Sequence, residues 1–122
     1  MKYYTTDHEW VKVEGDNAFI GISQHAANEL GDITYVELPR VDTDLIVADT
    51  LGVVESVKAA SDIYSPISGT VILANKELED TPATINTSAE DEGWLCKLSN
   101  IDLTELDDLM DEEKYKKYLS SL

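Results

Sequence analysis

The sequence predicts a mainly β fold with one short internal helix and a helical tail. Its first hundred or so residues are short apolar, β-branched runs cut by Gly, Asn, Asp and Pro. A Ser and a Gly bracket a single helix-like stretch, Gln24 to Leu30. From Leu103 onward the apolar spacing changes to threes and fours. With 122 residues, 43% of them hydrophobic, the chain has the size and apolar content of one ordinary domain.

Taken in order, Trp10 to Val13 and Ala18 to Ile22 read as two strands joined by Gly15-Asp16-Asn17, a hairpin with the expected turn residues. Ser23 is a good N-cap for Gln24–Leu30, and Gly31 a good residue to end that helix. Ile33 to Leu38 returns to strand, rich in β-formers, and Pro39 ends it. Leu45-Ile46-Val47 and Leu51 to Ser56 read as strands with Asp49-Thr50 turning between them. Ile63 to Pro66 is extended, Pro66 to Gly69 is a turn, and Thr70 to Leu73, Ala83 to Asn86 and Trp94 to Leu98 are further strands. The tail, with Leu103, Leu106, Leu109, Met110, Tyr115, Tyr118 and Leu119, reads as helix. Lys114, Lys116 and Lys117 follow Asp111-Glu112-Glu113, an order that suits a helix dipole. Two segments, about 41–55 and 67–85, both read as strand, turn, strand, which would put Lys58 at the exposed tip between two similar halves.

Nine basic against 25 acidic residues leave a formal charge of −16. That balance and the scattered lysines argue against a nucleic-acid binder, which needs a basic patch. It suits encounter with enzymes whose entrances are basic, as well as simple solubility. The single cysteine, Cys96, excludes an internal disulfide and a Cys-based zinc site, and its apolar strand predicts a buried, inert thiol. His8 and His25 have no partner at metal-ligand spacing, so no metal is expected. Asp7-His8-Glu9 has no activated nucleophile beside it. Trp94 is expected in the core, and the tail is expected to serve packing. The opening residues have neither an apolar core nor an Arg-rich composition, and no apolar run approaches a membrane span. A cytoplasmic protein is expected, or an organelle-matrix one from which a leader has been removed, with no membrane partner.

The stretch that carries chemistry is Glu55-Ser56-Val57-Lys58-Ala59, an apolar strand delivering one lysine, followed by small residues. A lysine at a tight turn projects outward, and Ala59 and Ala60 leave room for another protein. A lone hairpin lysine is usually exposed and idle. Its neighbours here decide otherwise. Glu55 to Ala59 resembles the lipoylation motif of the glycine cleavage H proteins. His8-Glu9-Trp10-Val11 resembles that family's opening, and Gly21-Ile22-Ser23, Leu30-Gly31-Asp32 and Val36-Glu37-Leu38-Pro39 its next blocks. Ser61 to Gly69, then Asn75, Leu78, Pro82, Asn86 and Gly93-Trp94-Leu95, continue the likeness, which runs from about Tyr3 to Tyr118. Biotin carriers typically flank their lysine with methionine, and the lipoyl domains of 2-oxoacid dehydrogenases usually place Asp before it. Val57 with Glu55 points to the H-protein branch.

The resemblance implies a single lipoyl-carrier domain over 1–122, with a core at about 3–100 and a tail at about 103–120. Its fold would be a flattened barrel or sandwich of the lipoyl/biotinyl-carrier type. It implies lipoic acid on Lys58, with Glu55, Ser56, Val57 and Ala59 as the motif read by a lipoate ligase or octanoyltransferase. The chain would be a non-catalytic swinging-arm carrier. It would take the aminomethyl group of glycine from glycine decarboxylase (the P protein) to aminomethyltransferase (the T protein), with dihydrolipoyl dehydrogenase (the L protein) reoxidising the dithiol. Glu9 is the carboxylate expected to hold the cargo's amine in a cleft. The same lysine would also serve a lipoyl relay that donates lipoate to other complexes, and an unmodified binding module could keep the fold alone. Two residues depart from the family pattern: Asp42 and Ala48 stand where glycine is usual. Asp tolerates the left-handed region and Ala does so poorly, which leaves the turn before Leu51 open.

Overall fold

The computed structural model describes residues 2–122. Their elements run β1 (Lys2–Tyr4), β2 (Glu9–Glu14), β3 (Asn17–Ile22), α1 (Gln24–Leu30), β4 (Ile33–Glu37), β5 (Asp44–Leu45), β6 (Thr50–Ser56), β7 (Ala60–Tyr64), β8 (Gly69–Ala74), α2 (Glu77–Asp80), α3 (Thr84–Ser88) and β9 (Cys96–Ser99). A 3-10 stretch, Leu103–Asp108, then leads to α4 (Glu112–Ser120). Strands β1-β2-β3-β9-β8-β5 form one antiparallel sheet and β4-β6-β7 a second. This is the mainly β sandwich with helical additions that the sequence predicts.

The core lies between the sheets. Val11, Ala18, Ile20 and Ile22 come from the larger sheet, and Val36, Leu51, Val54 and Ile63 from the smaller. Alternate residues of these strands turn to the core, and on the opposite face of β2 Trp10 is buried under α4 rather than exposed. Full burial of such an aliphatic side chain is worth about 2 kcal/mol against exposure. A second cluster of Tyr4, Trp10 and Tyr115 fastens α4 to the larger sheet. Tyr4 and Tyr115 stack with ring centroids 4.1 Å apart, and Trp10 Nε1 donates to the Ala89 carbonyl at 3.0 Å. Trp94 is half-buried at the edge of this cluster, edge-on to Phe19, and not a core residue.

The first hairpin and helix follow the local chemistry. Gly15 supplies the positive φ of 61° at the β2–β3 turn. Ser23 Oγ accepts from the Ala26 N–H, and Gly31 closes α1 at φ 82° with its N–H on the Ala27 carbonyl.

Several expectations need correction. Ala83–Asn86 is not a strand: Pro82 and Ala83 lead into α3, which buries Ile85. The second half of the supposed repeat is therefore strand then helices, and only the hairpin between the halves survives. The strand expected at Leu45–Val47 stops at Leu45, because Ile46 to Asp49 turn, with the Ile46 N–H on Asp49 Oδ2 at 2.9 Å. Trp94 and Leu95 precede β9 and lie outside it. The tail is not one helix. Met110 pairs with Tyr4 as a strand would (Tyr4 N–H to Met110 carbonyl 2.7 Å, Met110 N–H to Tyr4 carbonyl 2.9 Å), and those groups are then unavailable to a helix. Asp111 restarts the helix by accepting from the Lys114 N–H at 2.8 Å.

Asp42 and Ala48 both keep the left-handed conformation, at φ 74° and 76°. The turn geometry survives without glycine because its hydrogen bonds over-determine it. The Ala48 N–H reaches the Ser65 carbonyl at 2.8 Å, and the Asp42 N–H reaches the Val71 carbonyl at 2.7 Å. Alanine holds this conformation at a cost of about 1 kcal/mol. Ala48→Gly is expected to raise stability by about 0.5–1 kcal/mol, read as a melting temperature higher by about 2–5 °C. An unchanged or lower melting temperature would contradict it.

Candidate functional site

Lys58 sits at the tip of the β6–β7 hairpin, whose register pairs Glu55 with Ala60 and Val54 with Ser61. The tip is built by Ser56. Its N–H donates to the Ala59 carbonyl at 2.7 Å, and its Oγ accepts from the N–H groups of Lys58 and Ala59, both at 3.1 Å. A serine that closes its own turn in this way leaves Lys58 and Val57 at the surface, Val57 with 69% of its area exposed. Glu55 is half-buried on β6.

The tip is anchored to α1. The Val57 N–H donates to the Asp32 carbonyl at 3.1 Å. Asn86, on α3, brackets that corner, donating through Nδ2 to the Gly31 carbonyl at 2.8 Å and accepting from the Ile33 N–H at 2.9 Å. Lys58 is exposed but does not project away from its domain. Its stem lies over Gly31, and Nζ donates to the Glu29 carbonyl at 3.1 Å.

Beside this anchor lies a cavity of about 290 Å³ between α1, β7 and the loop before β2. Ile22, Ala26, Leu30 and Ile63 give it apolar walls, and Glu29 and Glu9 both line it. Glu9 is 3% exposed. Thr5 Oγ1 donates to its Oε1 at 2.7 Å, and the Tyr64 N–H approaches Oε2 at 3.4 Å. Burial pushes the Glu9 carboxyl above its ordinary range, with the Thr5 and Tyr64 hydrogen bonds opposing the rise and the charge of Asp7 adding to it. A neighbouring cavity of about 390 Å³, walled by Val47, Ala48, Pro66 and Leu109, shares Glu9, Asp7 and Tyr64. A buried carboxylate with spare acceptor capacity, facing a mostly apolar space, is suited to hold a cation there.

His8 and His25 have no relation in sequence spacing, yet their rings lie 4.8 Å apart on the rim of the cavity. No trio of metal-ligating side chains occurs among the described residues. Cys96 is fully buried, with burial pushing its thiol up to about 12. No helix among the described residues is long and apolar enough to cross a membrane.

Residues 2–122 match the family model described as glycine cleavage H-protein. The chain is 51% identical to the glycine cleavage system H protein of Parvibaculum lavamentivorans, over 98% of this chain and 95% of that protein. It is 50% identical to the mitochondrial glycine cleavage system H protein of Drosophila melanogaster, over 97% of this chain and 72% of that one. The crystal structure of a glycine cleavage system H protein from Mycobacterium marinum superimposes with a TM-score of 0.87 at 32% identity, covering 98% of this chain and 96% of that one. With its lysine hairpin beside a cleft and this likeness along its whole length, the chain belongs to the glycine cleavage H-protein family.

Proposed function

We propose that Lys58 carries lipoate in amide linkage and that Glu9 holds the cargo's ammonium in the cleft beside it. The family makes the chain a non-catalytic carrier of the glycine cleavage system. The site and its chemistry are the proposal. One observation carries it: a single cavity is lined both by Glu29, whose carbonyl Lys58 already touches, and by buried Glu9.

The residues fit the group. Lys58 is at the surface for an attaching enzyme, a lipoate ligase or octanoyltransferase, with small Ala59 and Ala60 next to it. Ile22, Ala26, Leu30 and Ile63 match an alkyl chain and a dithiolane ring. When bound, lipoate supplies a cyclic disulfide that accepts a carbon fragment and an electron pair together. Lys58 contributes its amide and loses its charge. The apolar wall excludes water, and Glu9 accepts from the ammonium, keeping the amine protonated and so unable to expel the sulfur. Glycine decarboxylase, aminomethyltransferase and dihydrolipoyl dehydrogenase are the partners this implies, in the cytoplasm of a bacterium or the matrix of an organelle. The whole of residues 1–122 acts as one carrier domain.

Glu9→Ala and Glu9→Gln are expected to be lipoylated normally and to lose cargo to hydrolysis about ten- to a hundredfold faster, the factor expected for one hydrogen bond to a charged group. The measurement is ammonia or formaldehyde release from the loaded, isolated protein. A lifetime equal to that of the unsubstituted protein in both variants would overturn the role of Glu9.

A further inference from the structure

A chain of polar contacts joins the C-terminal helix to the cleft. The Tyr115 hydroxyl, from the one buried residue of α4, donates to Ser23 Oγ at 2.7 Å. The same hydroxyl lies 2.8 Å from His8 Nδ1. With the phenol proton directed to Ser23, the phenol oxygen accepts from Nδ1–H, which sets the tautomer of the ring. The His8 backbone is held as well, at φ 71°, with its carbonyl accepting from the Ser23 N–H at 2.8 Å. His8 lines the same cavity as Glu9 and precedes it in the chain.

We infer that His8 is a second acceptor for the cargo's ammonium, through Nε2, and that Tyr115 is the positioning residue that keeps Nε2 unprotonated. This rests on the cleft reading above. An ammonium has three N–H donors, and a carboxylate with one neutral imidazole satisfies more of them than the carboxylate alone. No proton is transferred in the step. Nδ1–H stays on Tyr115, Nε2 accepts, and release of cargo restores the free ring.

Burial, and next the neighbouring His25, hold the His8 ring below its ordinary value of 6.5, while Asp7 and Glu29 oppose this. The groups around the ring and its cleft are Asp7 and Glu9 from its own loop, His25 and Glu29 from α1, Asp62 and Tyr64 from β7, and Tyr115 and Tyr118 from α4. Protonation turns Nε2 from acceptor to donor. Docking of cationic cargo therefore weakens as pH falls through the His8 pKa, and not in the neutral range.

The test is nitrogen NMR of the His8 ring in the full-length protein, before and after loading, with Tyr115→Phe and Glu9→Gln alongside. Tyr115→Phe keeps the ring that stacks on Tyr4 and removes only the hydroxyl. The expected result is Nδ1–H at pH 7 in the unloaded protein, and an Nε2 shift on loading. In Tyr115→Phe, mixed tautomers and a cargo lifetime about three- to tenfold shorter are expected, the range for one neutral hydrogen bond. Nε2–H in the unsubstituted protein would overturn the inference at once. An Nε2 signal unmoved by loading, with Glu9→Gln still shortening the lifetime, would overturn it and leave the Glu9 reading standing. If neither variant changes the lifetime, the cleft reading fails and this inference with it.

Discussion

Lys58→Arg is expected to abolish both lipoylation and aminomethyl transfer, to background, without unfolding the protein. The guanidinium keeps the positive charge and can still reach the Glu29 carbonyl, so the anchor of the hairpin to α1 is preserved. It is always protonated and has no free lone pair to acylate. No other lysine can take over, because β4, β6 and β7 carry no basic residue at all. Lys2, Lys12 and Lys97 lie on the other sheet, Lys76 just ahead of α2, and Lys114, Lys116 and Lys117 on α4. The checks are intact mass after expression in lipoylating cells and a transfer assay with the decarboxylase. Residual modification at a second lysine would contradict the assignment.

Gly52→Ala is expected to destabilise the carrier hairpin by about 3 kcal/mol or more. A Cβ at Gly52 would stand 2.1 Å from the Glu37 carbonyl oxygen and 3.3 Å from its carbon. The atoms it meets are backbone, so no side chain can swing aside. To reach ordinary contact, β4 must retreat by more than an ångström, which breaks the pairing of Glu37 with Val53. That pairing holds β6, the strand that presents Lys58. For a chain of this length the loss corresponds to a melting temperature lower by about 10–15 °C. A drop of only a degree or two would mean that the two strands do not approach so closely.

What could be read in the sequence was local. Ser23 and Gly31 mark the ends of α1 because capping is decided within four residues. The β2–β3 turn is written in Gly15. The closing of the lysine turn by Ser56 is equally local, yet only the structure reveals it. What could not be read depends on distant partners. The short run Ala83–Asn86 fits a strand as well as a helix, and its helical fate follows from Ile85 packing in the core and Asn86 tying down the α1–β4 corner. The spacing of Leu103 and Leu106 fits a 3-10 turn as well as an α-helix, and the break after it comes from Tyr4, more than a hundred residues earlier. Lys58 was legible only through the blocks of sequence around it, since the residue and its hairpin are common. Glu9 could be singled out in the same way, but not its burial. The contact of His8 with Tyr115 spans 107 positions and leaves no local trace.

Every expectation about transfer rests on a lipoyl group at Lys58. The most direct test is the intact mass of the protein from its native host, followed by peptide mapping. A single lipoyl adduct, located on Lys58, is the predicted result. An unmodified Lys58, in cells whose other lipoyl proteins are modified, would show that this lysine is not the carrier site.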